Sequence, residues 1–278
     1  MRAFAQVDVF ATEAYRGNPV AVVADAEGLQ DAQMQRFANW TNLSETTFLL
    51  PPTGPDADYR VRIFTPSLEL PFAGHPTLGS AHAWLERNGG AAGRERVVQE
   101  CAAGLIAVRC GGPDGRLAFA APPRTRSGPV DEPLIGRIAR LLGIDRAAIV
   151  DAEWAVNGPP WVAVLLGSAQ EVLDLRPGNV GDLDIGVVGP HPPGGDAAFE
   201  VRAFYPQNGA TAEDPVTGSL NAALAQWLLG CGRATAPYLA AQGTALGRRG
   251  HVHVTQDADG TIWIGGGTVT CVSGGVVL

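Results

Sequence analysis

Along most of the chain, apolar residues alternate with polar ones or gather in short runs, the period of a strand with one buried face. This pattern predicts strands at 5–9, 21–23, 46–50, 60–64, 105–109, 117–121, 162–166, 201–204, 251–255 and 261–265. Two segments follow a helical period instead. Leu78, Ala81, Trp84 and Leu85 mark a helix over 76–87, and Leu220, Leu224, Trp227 and Leu228 mark another over 215–229. Each opens on a proline with small residues close behind, a helix-start signal. Few strands are separated by the helices that parallel βαβ units need, so an α+β fold is expected rather than a doubly wound one.

The two helical segments belong to an internal repeat. Val61-Arg62-Ile63-Phe64-Thr65-Pro66 returns as Val201-Arg202-Ala203-Phe204-Tyr205-Pro206, 140 residues later. With one residue lost between, Gly74-His75-Pro76-Thr77-Leu78-Gly79-Ser80-Ala81 lies over Glu213-Asp214-Pro215-Val216-Thr217-Gly218-Ser219-Leu220. A fainter echo sets Arg16-Gly17-Asn18-Pro19-Val20 beside Asn157-Gly158-Pro159-Pro160-Trp161. Three echoes in one order read as a duplication. Pro, Gly and Arg cluster at 122–129, so the expected domains are 1–127 and 128–278, with a linker at the junction. A ligand site is expected in the cleft between two such domains, where helix N-termini offer N–H groups to an anion. In this alignment His75 falls on Asp214 and Ser80 on Ser219.

Composition narrows the chemistry. The chain holds 20 Arg and no Lys, which excludes Schiff-base chemistry and a lysine-bearing phosphate loop. A net charge of −8 gives no footprint for nucleic acid or for an anionic membrane, so a small molecule is the expected partner. The segment 1–8 lacks an apolar signal core, and no apolar run approaches the roughly 20 residues that span a bilayer, so a cytoplasmic protein is expected. Cys101, Cys110, Cys231 and Cys271 show no metal or disulfide spacing. Gly and Pro make up about a fifth of the chain, in keeping with many tight turns.

Several runs, in order and over the whole length, resemble the PhzF phenazine-biosynthesis-protein family. They are Val7-Asp8-Val9-Phe10, Gly17-Asn18-Pro19, Asn42-Leu43-Ser44-Glu45-Thr46-Thr47-Phe48, Phe72-Ala73-Gly74-His75-Pro76-Thr77, Glu213-Asp214-Pro215-Val216-Thr217-Gly218-Ser219 and Gln242-Gly243. The resemblance implies a diaminopimelate-epimerase-like fold, two similar domains each wrapping a sheet around a central helix, in a homodimer. It also implies isomerisation of trans-2,3-dihydro-3-hydroxyanthranilate without cofactor or metal. Glu45 would then be the general base and acid. His75, Asp214 and Ser219 would hold the substrate's polar groups, beside Asn18 and with close backbone contact at Gly74 and Gly218. Elementary chemistry agrees, since moving a proton between carbons needs a group that is a base in one half-reaction and an acid in the other.

Rival readings are weighed beside this one. A racemase using two thiols would place a Cys at each helix start, and neither loop contains one. A carbon-acid epimerase without thiols and a non-catalytic binding protein of the same fold remain as alternatives. Asn221, after the Gly-Ser pair, departs from the family pattern. Taken alone, Ser44-Glu45 reads as a solvated turn, His75 as a loop histidine, and Asp214-Pro215 as a helix cap. His251 and His253 share one strand face without a third metal ligand, the run 265–267 lacks a following helix, and Arg248-Arg249 reads as a surface pair.

Overall fold

A computed structural model of the chain describes residues 1–112 and 115–278. In chain order the elements are β1 (Arg2–Val9), β2 (Asn18–Val23), α1 (Asp31–Thr41), β3 (Glu45–Leu50), β4 (Tyr59–Phe64), β5 (Glu69–Leu70), α2 (Gly74–Arg87), β6 (Arg96–Cys101), β7 (Gly104–Arg109) and β8 (Leu117–Ala120). There follow α3 (Glu132–Leu142), β9 (Ile149–Trp154), β10 (Trp161–Leu166), α4 (Ala169–Asp174), β11 (Asp184–Pro190), β12 (Phe199–Gln207), β13 (Ala210–Asp214), α5 (Gly218–Gly230), β14 (Tyr238–Gln242), β15 (Gly250–Gln256), β16 (Ile262–Gly266) and β17 (Thr268–Val276). The fold is α+β, as the hydrophobic pattern predicts. None of the helices, among the described residues, is long and apolar enough to cross a membrane.

The chain forms two compact units, Met1–Ala120 with Gly265–Leu278, and Ala121–Ile264. In the first, the strands run in the order β17, β1, β2, β3, β4, β6, β7, β8. Only β2–β3 and β4–β6 are parallel. Helix α2 touches every one of these strands, so the sheet wraps around it. Its residues from Gly74 to Ala81 are all buried, the polar His75, Thr77 and Ser80 among them.

The second unit repeats this plan. Its order is β9, β10, β11, β12, β14, β15, and β10–β11 and β12–β14 are parallel, the counterparts of β2–β3 and β4–β6 once β17 is set aside. Helix α5 is buried on most of its length and follows a short hairpin partner, β13, as α2 follows β5. The unit has its own core, in which Ile138, Val162, Val164, Leu166, Ile185, Val187 and Phe204 are all but inaccessible.

Two features differ from the expected halves. The segment 122–129 is not a free linker but an extension pinned along β9: Trp154 N donates to Gly128 O at 2.9 Å, Thr125 N donates to Val156 O at 2.7 Å, and the Arg126 guanidinium lies 3.4 Å from the Trp154 ring centre. The last strand belongs to the first unit, because β17 pairs antiparallel with the whole of β1, from Arg2↔Val276 to Val9↔Thr268. The glycine run is no phosphate loop. Gly265 and Gly266 end β16, and Gly267 O accepts a hydrogen bond from Ala11 N at 3.2 Å.

Candidate active site

In the first unit, sheet register gathers three of the residues singled out in the sequence. Asn18 opens β2, Glu45 opens β3, and the parallel pair Val20↔Glu45 sets the two strand starts side by side. His75 is the second residue of α2, and Ser80 Oγ, two turns into that helix at most, donates to Thr47 Oγ1 at 2.9 Å and ties the helix to β3. The result places Glu45 Oε2 3.1 Å from His75 Nε2, with the two side chains 15% and 6% exposed. On the other side of the ring, Asn18 Nδ2 lies 3.5 Å from His75 Nδ1. The Glu45 and His75 atoms face each other off the line of a good hydrogen bond.

Burial pushes the His75 imidazole down to about 3, and a hydrogen bond with the Pro19 backbone offsets only part of this. The ring is therefore neutral near pH 7, and its contact with Glu45 is not an ion pair. A folded-state value below the unfolded one means that stability is complete above pH 6.5 and is lost as the pH falls toward about 3. His75→Gln removes this dependence. Urea unfolding of the two proteins is expected to differ by a constant above pH 6.5, and below it by an amount that changes at up to about 1.4 kcal/mol per pH unit.

The turn that delivers Asn18 depends on Gly17. Its N–H donates to the buried Asp8 carboxylate at 3.1 Å, and a Cβ at this position would sit 2.2 Å from Val9 O. Gly17→Ala must therefore separate the ends of β1 and β2. It is expected to cost about 1–3 kcal/mol in denaturant unfolding, with Asn18 displaced from His75.

In the second unit, Asp214 ends β13, and Gly218 and Ser219 begin α5. Gln242, at the end of β14 and fully buried, binds the connection between them. Its Oε1 accepts from Thr217 N at 3.0 Å and from Asn221 Nδ2 at 2.8 Å. Its Nε2 donates to Asp214 O at 3.1 Å and to Thr217 Oγ1 at 2.9 Å. Thr217 Oγ1 lies 2.6 Å from Asp214 Oδ2, and Asn221 Nδ2 also donates to Thr217 O at 2.9 Å. Ser219 is held separately: Trp161 Nε1 donates to its Oγ at 3.1 Å and Asn157 Nδ2 to its carbonyl at 2.9 Å. An indole N–H only donates, so the Ser219 hydroxyl proton points elsewhere.

The structure corrects the repeat alignment at the helix starts. Phe64↔Glu69 and Ile63↔Leu70 in the first unit correspond to Phe204↔Glu213 and Ala203↔Asp214 in the second. Three residues then lead to Gly74 and to Gly218, the first residues of α2 and α5. Ser219 is thus the counterpart of His75, Leu70 that of Asp214, and Ala73 that of Thr217. Sequence matching slipped because the β12–β13 hairpin is longer than β4–β5, and the Pro and Gly letters of the two loops coincide in another register. Asp214 is also not the helix cap of the structural reading: α5 starts at Gly218, and the capping residue is Thr217, whose N–H goes to Gln242. The same register places Asp184, first residue of β11, where β3 has Glu45, since Trp161↔Asp184 matches Val20↔Glu45. Burial pushes the Asp184 carboxyl up.

A duplicated ion pair supports both hairpins and was not read from the sequence. Arg62 binds Glu69 through Nε and Nη2 at 2.7 and 2.6 Å, and Arg202 binds Glu213 in the same way at 2.9 and 2.7 Å. The signal was present, as the two arginines share a repeat position and each is followed by Phe two residues on.

Among the described residues no group of three or more His, Cys, Asp and Glu is gathered for a metal ion. Burial pushes the Cys101 and Cys110 thiols up, away from the reactive thiolate. Arg248 and Arg249 follow the short turn Thr244–Leu246, and His251 and His253 lie half-buried on β15.

With this geometry established, comparison with known proteins is specific. The fold is that of PhzF proteins: a crystal structure of a phenazine biosynthesis protein of the PhzF family from Bacillus anthracis superposes with a TM-score of 0.84 at 23% identity, over 100% of this chain and 99% of that one. The chain belongs to the family described as PhzC-PhzF, phenazine biosynthesis-like protein, whose model matches residues 7–274. It is similar to antisense-enhancing sequence 1 of Schizosaccharomyces pombe, 36% identical over 98% of this chain and 97% of the relative. It is also 35% identical to trans-2,3-dihydro-3-hydroxyanthranilate isomerase of Pseudomonas fluorescens, over 89% of this chain and 88% of the relative. By class the protein is an isomerase of the PhzF type.

Proposed function

We propose that the protein is a cofactor-independent isomerase that moves a proton between two carbons of a small conjugated amino or hydroxy carboxylate, similar to trans-2,3-dihydro-3-hydroxyanthranilate. Glu45 is the proton carrier. Its carboxylate takes a proton from a ring carbon, the C–H electron pair spreads into the conjugated system, and the resulting carboxylic acid returns the proton to another carbon. The observation that carries this reading is the buried pair of Glu45 and a neutral imidazole, 3.1 Å apart at the start of α2. A neutral ring neither neutralises the carboxylate nor competes for the proton at pH 7, and it can take part in hydrogen bonds from both nitrogens.

The remaining assignments follow from donor and acceptor character. An α-helix leaves its first N–H groups without intrahelical partners, and Pro76 contributes none, so Gly74 and His75 are the backbone donors suited to a substrate carboxylate or a developing enolate. Asn18 is proposed to orient His75, whose Nδ1 lies 3.5 Å from its Nδ2. In the second unit, Asp214 and Ser219 are proposed to bind amine or hydroxyl groups of a substrate of this class, with Gly218 allowing close backbone approach. The experiment is to incubate the protein, treated with a chelator, with trans-2,3-dihydro-3-hydroxyanthranilate in deuterated buffer and to follow proton NMR. Conversion, with deuterium in the product in proportion to solvent exchange at Glu45, is expected. An unchanged substrate would overturn the substrate assignment.

A further inference from the structure

The hydrogen-bond directions around Gln242 are fixed by groups that have only one role. Asp214 O can only accept, so the Gln242 atom 3.1 Å from it is the NH2 group. Thr217 N can only donate, so the atom 3.0 Å from it is the carbonyl oxygen. Asn221 repeats the check, since its Nδ2 faces both Thr217 O and Gln242 Oε1, two acceptors. With the amide oriented, Gln242 Nε2 must donate to Thr217 Oγ1, 2.9 Å away. A threonine hydroxyl has a single proton. That proton therefore goes to Asp214 Oδ2 at 2.6 Å, a length typical of a hydroxyl donating to a carboxylate.

We propose that Thr217 and Gln242 are positioning residues that lock Asp214 as a hydrogen-bond acceptor, so that the substrate group it meets is a donor, an amine or a hydroxyl, and never the carboxylate. This rests on the reading of Asp214 as a substrate-binding residue. Among the described residues, the contact of the threonine hydroxyl with a carboxylate belongs to the second unit. In the first, the counterparts of Asp214 and Thr217 are Leu70 and Ala73, and sheet register sets Cys101 where β14 carries Gln242, because Tyr59↔Gln99 matches Phe199↔Ala240. A buried glutamine braces the helix start in both units, since Gln99 Nε2 donates to Thr77 Oγ1 at 2.9 Å in the first turn of α2. A hydroxyl donating to a carboxylate before the helix is what sets the second unit apart among the described residues, and bracing the helix alone does not account for it.

The test uses two small probes that differ by one donor, anthranilate and benzoate, with binding measured by calorimetry for the wild type, Thr217→Val and Thr217→Ser. Thr217→Val keeps the shape of the side chain and removes only the hydroxyl. It is expected to weaken anthranilate by about tenfold while changing benzoate by less than about twofold, and Thr217→Ser is expected to restore anthranilate binding to within about threefold of wild type. Gln242→Glu, which offers the Thr217 proton a second carboxylate, is expected to give the same donor-selective loss; thermal unfolding checks that each variant is folded at the assay temperature. Equal weakening of both probes in Thr217→Val, or no weakening, would overturn the inference and leave the proposed function intact. A wild type that binds neither probe would overturn the substrate reading itself, and the inference with it.

Discussion

Glu45→Gln is expected to lower kcat on the isomerisation substrate by about 10²–10⁴-fold, while the affinity for an unreactive analogue changes little. The amide has the size and much of the hydrogen-bonding capacity of the carboxyl group, so Asn18, His75 and the start of β3 have no reason to move. What it lacks is the ability to take up a proton at one carbon and deliver it to another. Because His75 is neutral, no cation loses its partner in this variant, and its unfolding midpoint in urea is expected to stay close to wild type. Steady-state rates and analogue binding, measured on one preparation, separate the proton carrier from a residue that only shapes the pocket. Turnover within a few-fold of wild type would show that Glu45 carries no proton.

Arg202→Met is expected to produce the largest loss of stability, about 3–5 kcal/mol in urea unfolding. Arg202 and Glu213 are only 6% and 12% exposed, and the guanidinium also donates to Val172 O and Leu175 O at 3.1 and 2.8 Å, the carbonyls at the end of α4. Deleting the cation leaves a carboxylate and two carbonyls buried without it. The duplication supplies an internal control. Arg62 and Glu69 have the same bidentate geometry at the same sheet register but are 24% and 36% exposed, so Arg62→Met is expected to cost about 1 kcal/mol or less. Similar losses in both variants would mean that burial does not set the cost. Since Glu213 immediately precedes Asp214, the proposed role of Asp214 predicts that Arg202→Met also weakens substrate binding, which calorimetry on the folded variant checks.

The features legible in the sequence were those carried by local period or by chemistry that repeats. Helices α2 and α5 announce themselves because their apolar residues recur at helical spacing, and the repeat of Val-Arg-x-Phe survives because it sits in strands of identical register. Helix α3 carries the same kind of signal: Leu134, Ile135, Ile138 and Leu142 follow the helical period, the Asp131 side chain accepts from Leu134 N, and Gly143 closes the helix in the left-handed conformation. β17 carries little signal, since Thr, Ser and Gly interrupt its apolar residues and its pairing partner lies at the other end of the chain. Glu45 and His75 were found by resemblance, but their contact depends on the register of β2 against β3, which no local window contains. The Thr217, Asn221 and Gln242 network is out of reach of the sequence for the same reason, because hydrogen-bond direction exists only once β14 lies beside the start of α5. The slipped alignment of His75 with Asp214 shows the converse hazard, that matching letters across loops of unequal length can outweigh the geometry.

The return of β17 to the first unit has a consequence for how the protein comes off the ribosome. The second unit is contiguous, Ala121–Ile264, whereas the first needs Gly265–Leu278 to complete its sheet. During translation β1 emerges first but waits for its outer neighbour until the last strand has been made, with one row of its N–H and C=O groups unpaired in the interval. The later-synthesised unit can therefore close before the earlier one, reversing the usual order in which domains mature along a nascent chain.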